Sequence, residues 1–204
     1  MGCSCMDLFQ DDEHGVPGLR YRPDLVTPDE ERELLAAVDG APWSETLKRR
    51  VQHYGYRYDY KARAVDREMY LGPLPDWARP TIARMLAKEL MPAPPDQLIV
   101  NEYLPGQGIS AHVDCIPCFG PVITALSLGS ACVMEFTPPV EASDDAAKIE
   151  LVLRPRSLLI LQDQARYQWR HAIRARRSDT WDGERHPRSR RVSLTFRKTR
   201  LDSR

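Results

Sequence analysis

No stretch of this sequence is apolar for long enough to cross a membrane as a helix. The longest apolar runs, such as Ser157-Leu158-Leu159-Ile160-Leu161, fall far short of the ~20 residues a membrane helix needs. No basic-then-apolar leader opens the chain, so a reducing, cytoplasmic setting and no membrane partner are the expectation. Cysteine is scarce and odd in number, five in 204 residues, which excludes a disulfide framework. Cys115 and Cys118 are expected to be free thiols, because a redox pair wants a βαβ context and a zinc site wants further regularly spaced ligands. No internal repeat of ~20–50 residues is present, which excludes solenoids and propellers. What is there is ordinary for a globular chain: 42% hydrophobic and 28% charged residues in a length suited to one domain with a sizeable core.

Net charge is also lacking, at 29 basic and 29 acidic residues, but the zero conceals a segregation. From Arg170 to Arg204 twelve Lys/Arg stand against four Asp/Glu, leaving residues 1–169 with 17 basic and 25 acidic. A second basic stretch, Lys48 to Arg67, holds seven basic residues against Asp59 and Asp66, interleaved with Tyr54, Tyr56, Tyr58 and Tyr60. Segregated positive charge is the footprint of a polyanionic partner.

Residues 1–20 have little periodicity and read as a flexible tail before a single domain over 21–204. Thr27-Pro28-Asp29-Glu30 is a helix start, with Thr27 as cap, Pro28 in the first turn and Glu30 closing a capping box. Leu34, Leu35 and Val38 give that helix an apolar face, and Gly40 ends it. A second helix is predicted over about 76–90, with Trp77, Ile82, Met85 and Leu86 inward. Proline, 17 residues, and the turn signals beyond Pro92 then break the chain into short strands. These fall at 98–103, 109–113, 122–128, 132–136, 149–153, 158–161, 168–173 and 191–197, a pattern for a β-sandwich or jelly roll buttressed by two N-terminal helices.

Three groups of residues carry chemistry. His112 and Asp114, two apart, share a strand face, and His171 follows in a later strand. Two histidines and one carboxylate are the facial triad of non-haem Fe(II) oxygenases, although an H-x-D pair alone also suits a hydrogen-bonded surface pair. In Arg191-Val192-Ser193-Leu194-Thr195-Phe196-Arg197, alternation sets Arg191, Ser193, Thr195 and Arg197 on one face. Buried arginines there would require anionic partners. Asn101 and Tyr103 share a third strand face ahead of a Pro-Gly turn, as functional groups or as one buried amide and a core tyrosine.

The order N-x-Y, H-x-D, H, R-x-x-x-x-x-R resembles the AlkB family of Fe(II)/2-oxoglutarate dioxygenases over roughly residues 48–198. Asn101-Glu102-Tyr103-Leu104-Pro105-Gly106 and Ser127-Leu128-Gly129 are similar to family text. Within the family, Leu47-Lys48-Arg49-Arg50-Val51-Gln52-His53-Tyr54-Gly55-Tyr56 and Arg166-Tyr167-Gln168-Trp169-Arg170-His171 most resemble the AlkB domain of the eukaryotic wobble-uridine tRNA hydroxylase, without its flanking RNA-binding and methyltransferase domains. The resemblance implies an α+β, mainly β fold, a double-stranded β-helix, and a monomeric state is the accompanying expectation. It implies that His112, Asp114 and His171 hold Fe(II), that Asn101, Tyr103 and Arg191 hold 2-oxoglutarate, and that Arg197 steadies Asp114 and the keto-acid end. Dioxygen is consumed, 2-oxoglutarate becomes succinate and the substrate is oxidised. Residues of about 45–75 correspond to a nucleotide-recognition lid, so Tyr56, Arg57 and Tyr58, with Asp163 and Arg166, are the expected nucleic-acid contacts. Gln164-Ala165-Arg166 departs from the family's usual Glu-Ser-Arg, which leaves the choice of base open. The leading expectation is oxidative dealkylation of damaged bases in single-stranded or flipped-base DNA or RNA. Hydroxylation of a modified tRNA wobble uridine, protein hydroxylation and a non-catalytic nucleic-acid-binding module are the alternatives.

Overall fold

The computed structural model describes residues 14–139 and 148–201. In chain order the elements are β1 (Leu19–Arg22), α1 (Pro28–Asp39), β2 (Val51–Gly55), α2 (Arg79–Ala87), β3 (Gln97–Tyr103), β4 (Ile109–His112), β5 (Phe119–Gly129) and β6 (Cys132–Thr137). There follow β7 (Ile149–Leu153), β8 (Leu158–Leu161), α3 (Asp163–Tyr167), β9 (Arg170–Ile173), β10 (Ser178–Trp181), β11 (Glu184–Pro187) and β12 (Arg191–Thr199). A six-stranded antiparallel sheet has the order β1-β8-β5-β12-β3-β2, and a four-stranded sheet the order β4-β9-β6-β7. Together they form the double-stranded β-helix, with β10 and β11 as a separate hairpin.

Strand alternation explains the layering. Val192, Leu194 and Phe196 of β12 join Leu98 and Val100 of β3 and Leu126 and Leu128 of β5 in one core with Leu34, Val38 and Met85 of the helices. The other face of the same sheet, with Tyr103, Ile123, Leu159 and Leu161, packs on Met134, Phe136, Leu153 and Ile173 of the smaller sheet. The helices therefore cover one side of the large sheet, and the other side faces the interior of the barrel. Burial of this kind stabilises by ~25 cal/mol per Å² of apolar surface, and it sets which residues of each strand look inward.

The first helix forms as its sequence dictates. Thr27 Oγ1 accepts from the Glu30 backbone N–H at 3.2 Å, and Glu30 Oε2 accepts from the Thr27 N–H at 2.7 Å. Hydrogen bonding from Arg84 and from the Thr27 backbone holds the Glu30 carboxyl at about 2, so the box stays charged. The second helix is shorter than the pattern suggests: a 3₁₀ turn over Asp76–Ala78 precedes Arg79–Ala87. Pro80 accounts for this, because a residue without an N–H fits the first turn of an α-helix and not its interior.

The tail expected over residues 1–20 is corrected at its C-terminal end. Val16 and Leu19 are fully buried, and β1 pairs along β8 from Leu19↔Leu161 to Arg22↔Leu158. Residues 1–13 lie outside the described residues, as does most of the acidic loop after Pro138. The β10–β11 hairpin, not anticipated, turns on Asp182 and Gly183, both with positive φ (53° and 77°), as an Asp-Gly two-residue hairpin turn requires. Among the described residues no helix is long and apolar enough to cross a membrane.

Candidate active site

Register brings the inward residues of three strands together. Across β12 and β3, Arg191 lies opposite Tyr103 and Ser193 opposite Asn101. These residues line a cavity of about 90 Å³ inside the barrel, together with Arg197, Asp114 and His171. Arg191, 3% exposed, donates from Nη2 to Ser127 Oγ at 2.8 Å, sits 5.4 Å from the Tyr103 ring centre, and leaves its Nε without a partner. A buried guanidinium with an unmet donor and no carboxylate partner among the described residues has the chemistry to receive an anionic group. Burial raises the Tyr103 phenol above its ordinary pKa, which keeps it a neutral donor.

The two histidines meet through the smaller sheet. Gly108 lets β4 approach β9, since a Cβ there would lie 2.1 Å from the Ile173 carbonyl oxygen. The pairing then sets His112 opposite His171, with ring centres 4.4 Å apart. His112 Nδ1 donates to the Ser110 carbonyl at 2.8 Å, which orients the ring and leaves Nε2 as the nitrogen that a metal would meet. Burial, and then the neighbouring His112, pushes His171 down to about 4, so its ring is a neutral imidazole near neutral pH. Asp114 Oδ1 accepts from Arg197 Nη2 at 2.9 Å. Burial alone would raise Asp114, but the Arg197 guanidinium beside it outweighs that and holds the carboxylate at about 2.

Two imidazoles and one ionised carboxylate are the donor set that a divalent iron takes. A buried His171 nitrogen (Nδ1) without a partner is consistent with that fit. Asp114 is engaged with Arg197, and among the described residues no three acidic, His or Cys side chains surround one point. The match lies in the donors and their shared wall, not in finished coordination.

Beyond the inner cavity lies a more open groove of about 630 Å³. It shares Arg49, Tyr58, Tyr60, Ile109 and Asp114 with the inner cavity, and Lys48 and Arg63 join them at its rim. Asp114 is the one acidic residue among those lining it. Arg49 and Tyr60 were not singled out from the sequence. Arg49 Nε donates to Asn101 Oδ1 at 2.8 Å, bridging the segment ahead of β2 to β3, and the signal for both is the basic, tyrosine-interleaved segment that contains them.

The expected nucleic-acid contacts divide. Tyr58 lines both cavities. Tyr56 instead packs on Tyr70, ring centres 5.0 Å apart, and lines neither; Arg57 is exposed beside it. Asp163 is exposed at the start of α3. Arg166 is corrected outright: it is 1% exposed, and its guanidinium donates to four backbone carbonyls between Asp114 and Gly120, so no base can reach it. The free-thiol expectation is corrected too, because Cys115 and Cys118 form a disulfide. A four-residue loop brings the two sulfurs together, with both against the Arg63 carbonyl at 3.3 and 3.2 Å.

Residues 37–197 match the 2OG-Fe(II) oxygenase superfamily. The chain is 42% identical to the Arabidopsis thaliana "Alkylated DNA repair protein ALKBH8 homolog", over 93% of this chain and 60% of that protein. It is 36% identical to the Xenopus tropicalis "tRNA (carboxymethyluridine(34)-5-O)-methyltransferase alkbh8", spanning 90% of this chain and only 32% of that protein. Identity is 32% to the Danio rerio "Probable RNA/DNA demethylase ALKBH6", over 89% of this chain and 85% of that protein. Among solved structures, that of OsALKBH1 superposes with a TM-score of 0.67 at 17% identity, covering 89% of this chain and 97% of that one, a likeness of fold.

Proposed function

We propose, since the chain belongs to the AlkB family of the 2OG-Fe(II) oxygenase superfamily, that its substrate is an alkylated base in DNA or RNA, which it oxidatively dealkylates. The observation that carries the substrate side is the open groove: lysine and arginines at the rim, Tyr58 and Tyr60 on the wall, leading to Asp114. A base taken out of its stack is held between aromatic faces while cations track the flanking phosphates.

The enzyme class brings Fe(II), 2-oxoglutarate and dioxygen. His112, Asp114 and His171 would hold the iron. Arg191, Asn101 and Tyr103 would hold 2-oxoglutarate by its far carboxylate, and Arg197 would keep Asp114 ionised and oriented. When bound, these groups supply the oxidation of a substrate C–H bond, with 2-oxoglutarate decarboxylated to succinate. The protein's own part is ligation, orientation and exclusion of water. Burial of the cavity strengthens each charge contact within it, and Tyr58 and Tyr60 line both the groove and the inner cavity. Where the oxidised carbon is attached to nitrogen, the hydroxylated product breaks its C–N bond and releases an aldehyde.

A second reading, hydroxylation of a modified uridine at the tRNA wobble position, is favoured by the identity to the Xenopus protein, whose name specifies tRNA uridine 34. There the product is stable and no aldehyde appears. Incubation with Fe(II), 2-oxoglutarate and either methylated oligonucleotides or tRNA separates the two. Succinate with stoichiometric formaldehyde on the methylated oligonucleotide supports dealkylation. Succinate on tRNA alone, without aldehyde, selects the second reading, and succinate stimulated by neither removes the nucleic-acid substrate.

A further inference from the structure

Asp114 has no sheet partner to fix it. β4 ends at His112, so its backbone is set by whatever holds the loop that follows. One side chain does so from within the core. Arg166 Nη1 donates to the Asp114 carbonyl at 3.0 Å, Nη2 to those of Cys115 at 3.0 Å and Phe119 at 3.3 Å, and Nε to that of Gly120 at 3.2 Å. Four acceptors spread over residues 114–120 are met at once by one rigid planar fork.

The cost of this arrangement argues that it does more than fill space. A guanidinium buried to 1% exposure, and without an ion pair among the described residues, is expensive to desolvate. An apolar core residue would fill the volume at less cost, but could not order the carbonyls. The Asp114 carboxylate is among the charges that act on this guanidinium. We propose that Arg166 is a positioning residue for the metal site: it holds the backbone from which Asp114 reaches the iron, while Arg197 holds the carboxylate. The disulfide braces only 115–118 of this loop, whereas Arg166 reaches Asp114 itself. The inference rests on Asp114 being a metal ligand.

The test is Co(II) titration of the intact protein, read by its ligand-field absorption, on the parent and on Arg166→Lys and Arg166→Met. Lysine keeps the charge but offers a point donor that cannot bridge four carbonyls. In variants that circular dichroism shows to be folded, Co(II) should bind at least ~10-fold more weakly, the usual effect of losing a residue that orients a metal ligand. The absorption spectrum should change, and the 2-oxoglutarate KM at saturating metal should not. A folded lysine variant with the parent's Co(II) affinity and spectrum overturns the proposal. If neither variant folds, the parent decides. The Arg166 Nε–H resonance should shift on Zn(II) addition, and a resonance indifferent to the metal overturns it equally. Asp114→Ala is the control for the underlying assignment, since parental Co(II) affinity in that variant would remove Asp114 from the ligand set.

Discussion

Two stretches of this chain are rich in positive charge, and folding puts them to opposite uses. In the C-terminal stretch most of the charge turns inward. Arg176 and Arg188 clasp the buried Asp179, Arg174 pairs with Glu135, and Arg190 reaches Glu102 and Asp39. Arg197 pairs with Asp114, and Arg191 keeps an unmet donor in the cavity. In the stretch from Lys48 to Arg67, Arg49 and Arg50 are tied to Asn101 and Glu102, but Lys48 and Arg63 stay exposed on the rim of the groove. The larger local charge excess is thus mostly compensated, and the smaller one presents the cationic face. Clustering along a sequence therefore does not locate a polyanion surface. What matters is how many carboxylates the fold brings back to the cluster.

That contrast can be broken from either side. The largest effect is expected at the head of the C-terminal stretch, where His171→Ala, like His112→Ala, should abolish succinate formation. Circular dichroism should stay close to the parent's, because the barrel is held by apolar packing. Continued decarboxylation in both would detach the histidines from iron. Next, Asp179→Ala should destabilise by about 3–5 kcal/mol in denaturant titration, because it strands two arginines around a buried site. Burial pushes the Asp179 carboxyl up, but Arg188 and Arg176 win and hold it below the ordinary range. Its folded pKa is depressed, so this stabilisation is present above the unfolded value of ~3.9 and disappears as pH falls through the folded one. A variant as stable as the parent would make these arginines solvated charge.

Smaller effects are expected at the residues proposed to meet the co-substrate and the base. Arg191→Ala should raise the 2-oxoglutarate requirement by about 1.5–3 kcal/mol, roughly ten- to hundred-fold, with oligonucleotide affinity unchanged. Equal weakening toward both would mean that Arg191 meets a phosphate. Tyr58→Ala should weaken oligonucleotide binding by about 1–3 kcal/mol if a base stacks there, whereas Tyr56→Ala, whose ring lies on Tyr70, should not. A reversal of that order would put the base on the outer face of the lid.

How much of this could be read in advance follows the same division. Strand alternation alone separates Arg191, Ser193, Thr195 and Arg197 from Val192, Leu194 and Phe196, and the structure keeps that separation. The capping box at Thr27 is equally local and equally legible. The pairing of His112 with His171 is not, because it depends on β4 meeting β9 across most of the second half of the chain. Arg166 is the clearest failure: beside an exposed-looking Gln-Ala-Arg it reads as a substrate contact, and only the loop folding over it reveals four carbonyls. The Cys115–Cys118 bond escapes for a similar reason, since a C-x-x-C pair declares itself only by the geometry of its loop. Tyr56 and Tyr58 share a strand-like spacing, but the bridge of Tyr56 to Tyr70 turns the first away from the groove.

The comparison between the two basic stretches rests on which of them meets nucleic acid. The direct measurement is the salt dependence of single-stranded oligonucleotide binding in two double variants, Lys48→Ala/Arg63→Ala on the groove rim and Arg177→Ala/Arg185→Ala in the C-terminal stretch. Removing one phosphate-neutralising side chain should flatten the slope of log K against log salt by about 0.7. The rim pair should therefore lower its magnitude by about 1.4, and the C-terminal pair should leave it at the parent's value. A slope flattened by the C-terminal pair and untouched by the rim pair would contradict the assignment of the groove rim as the nucleic-acid face.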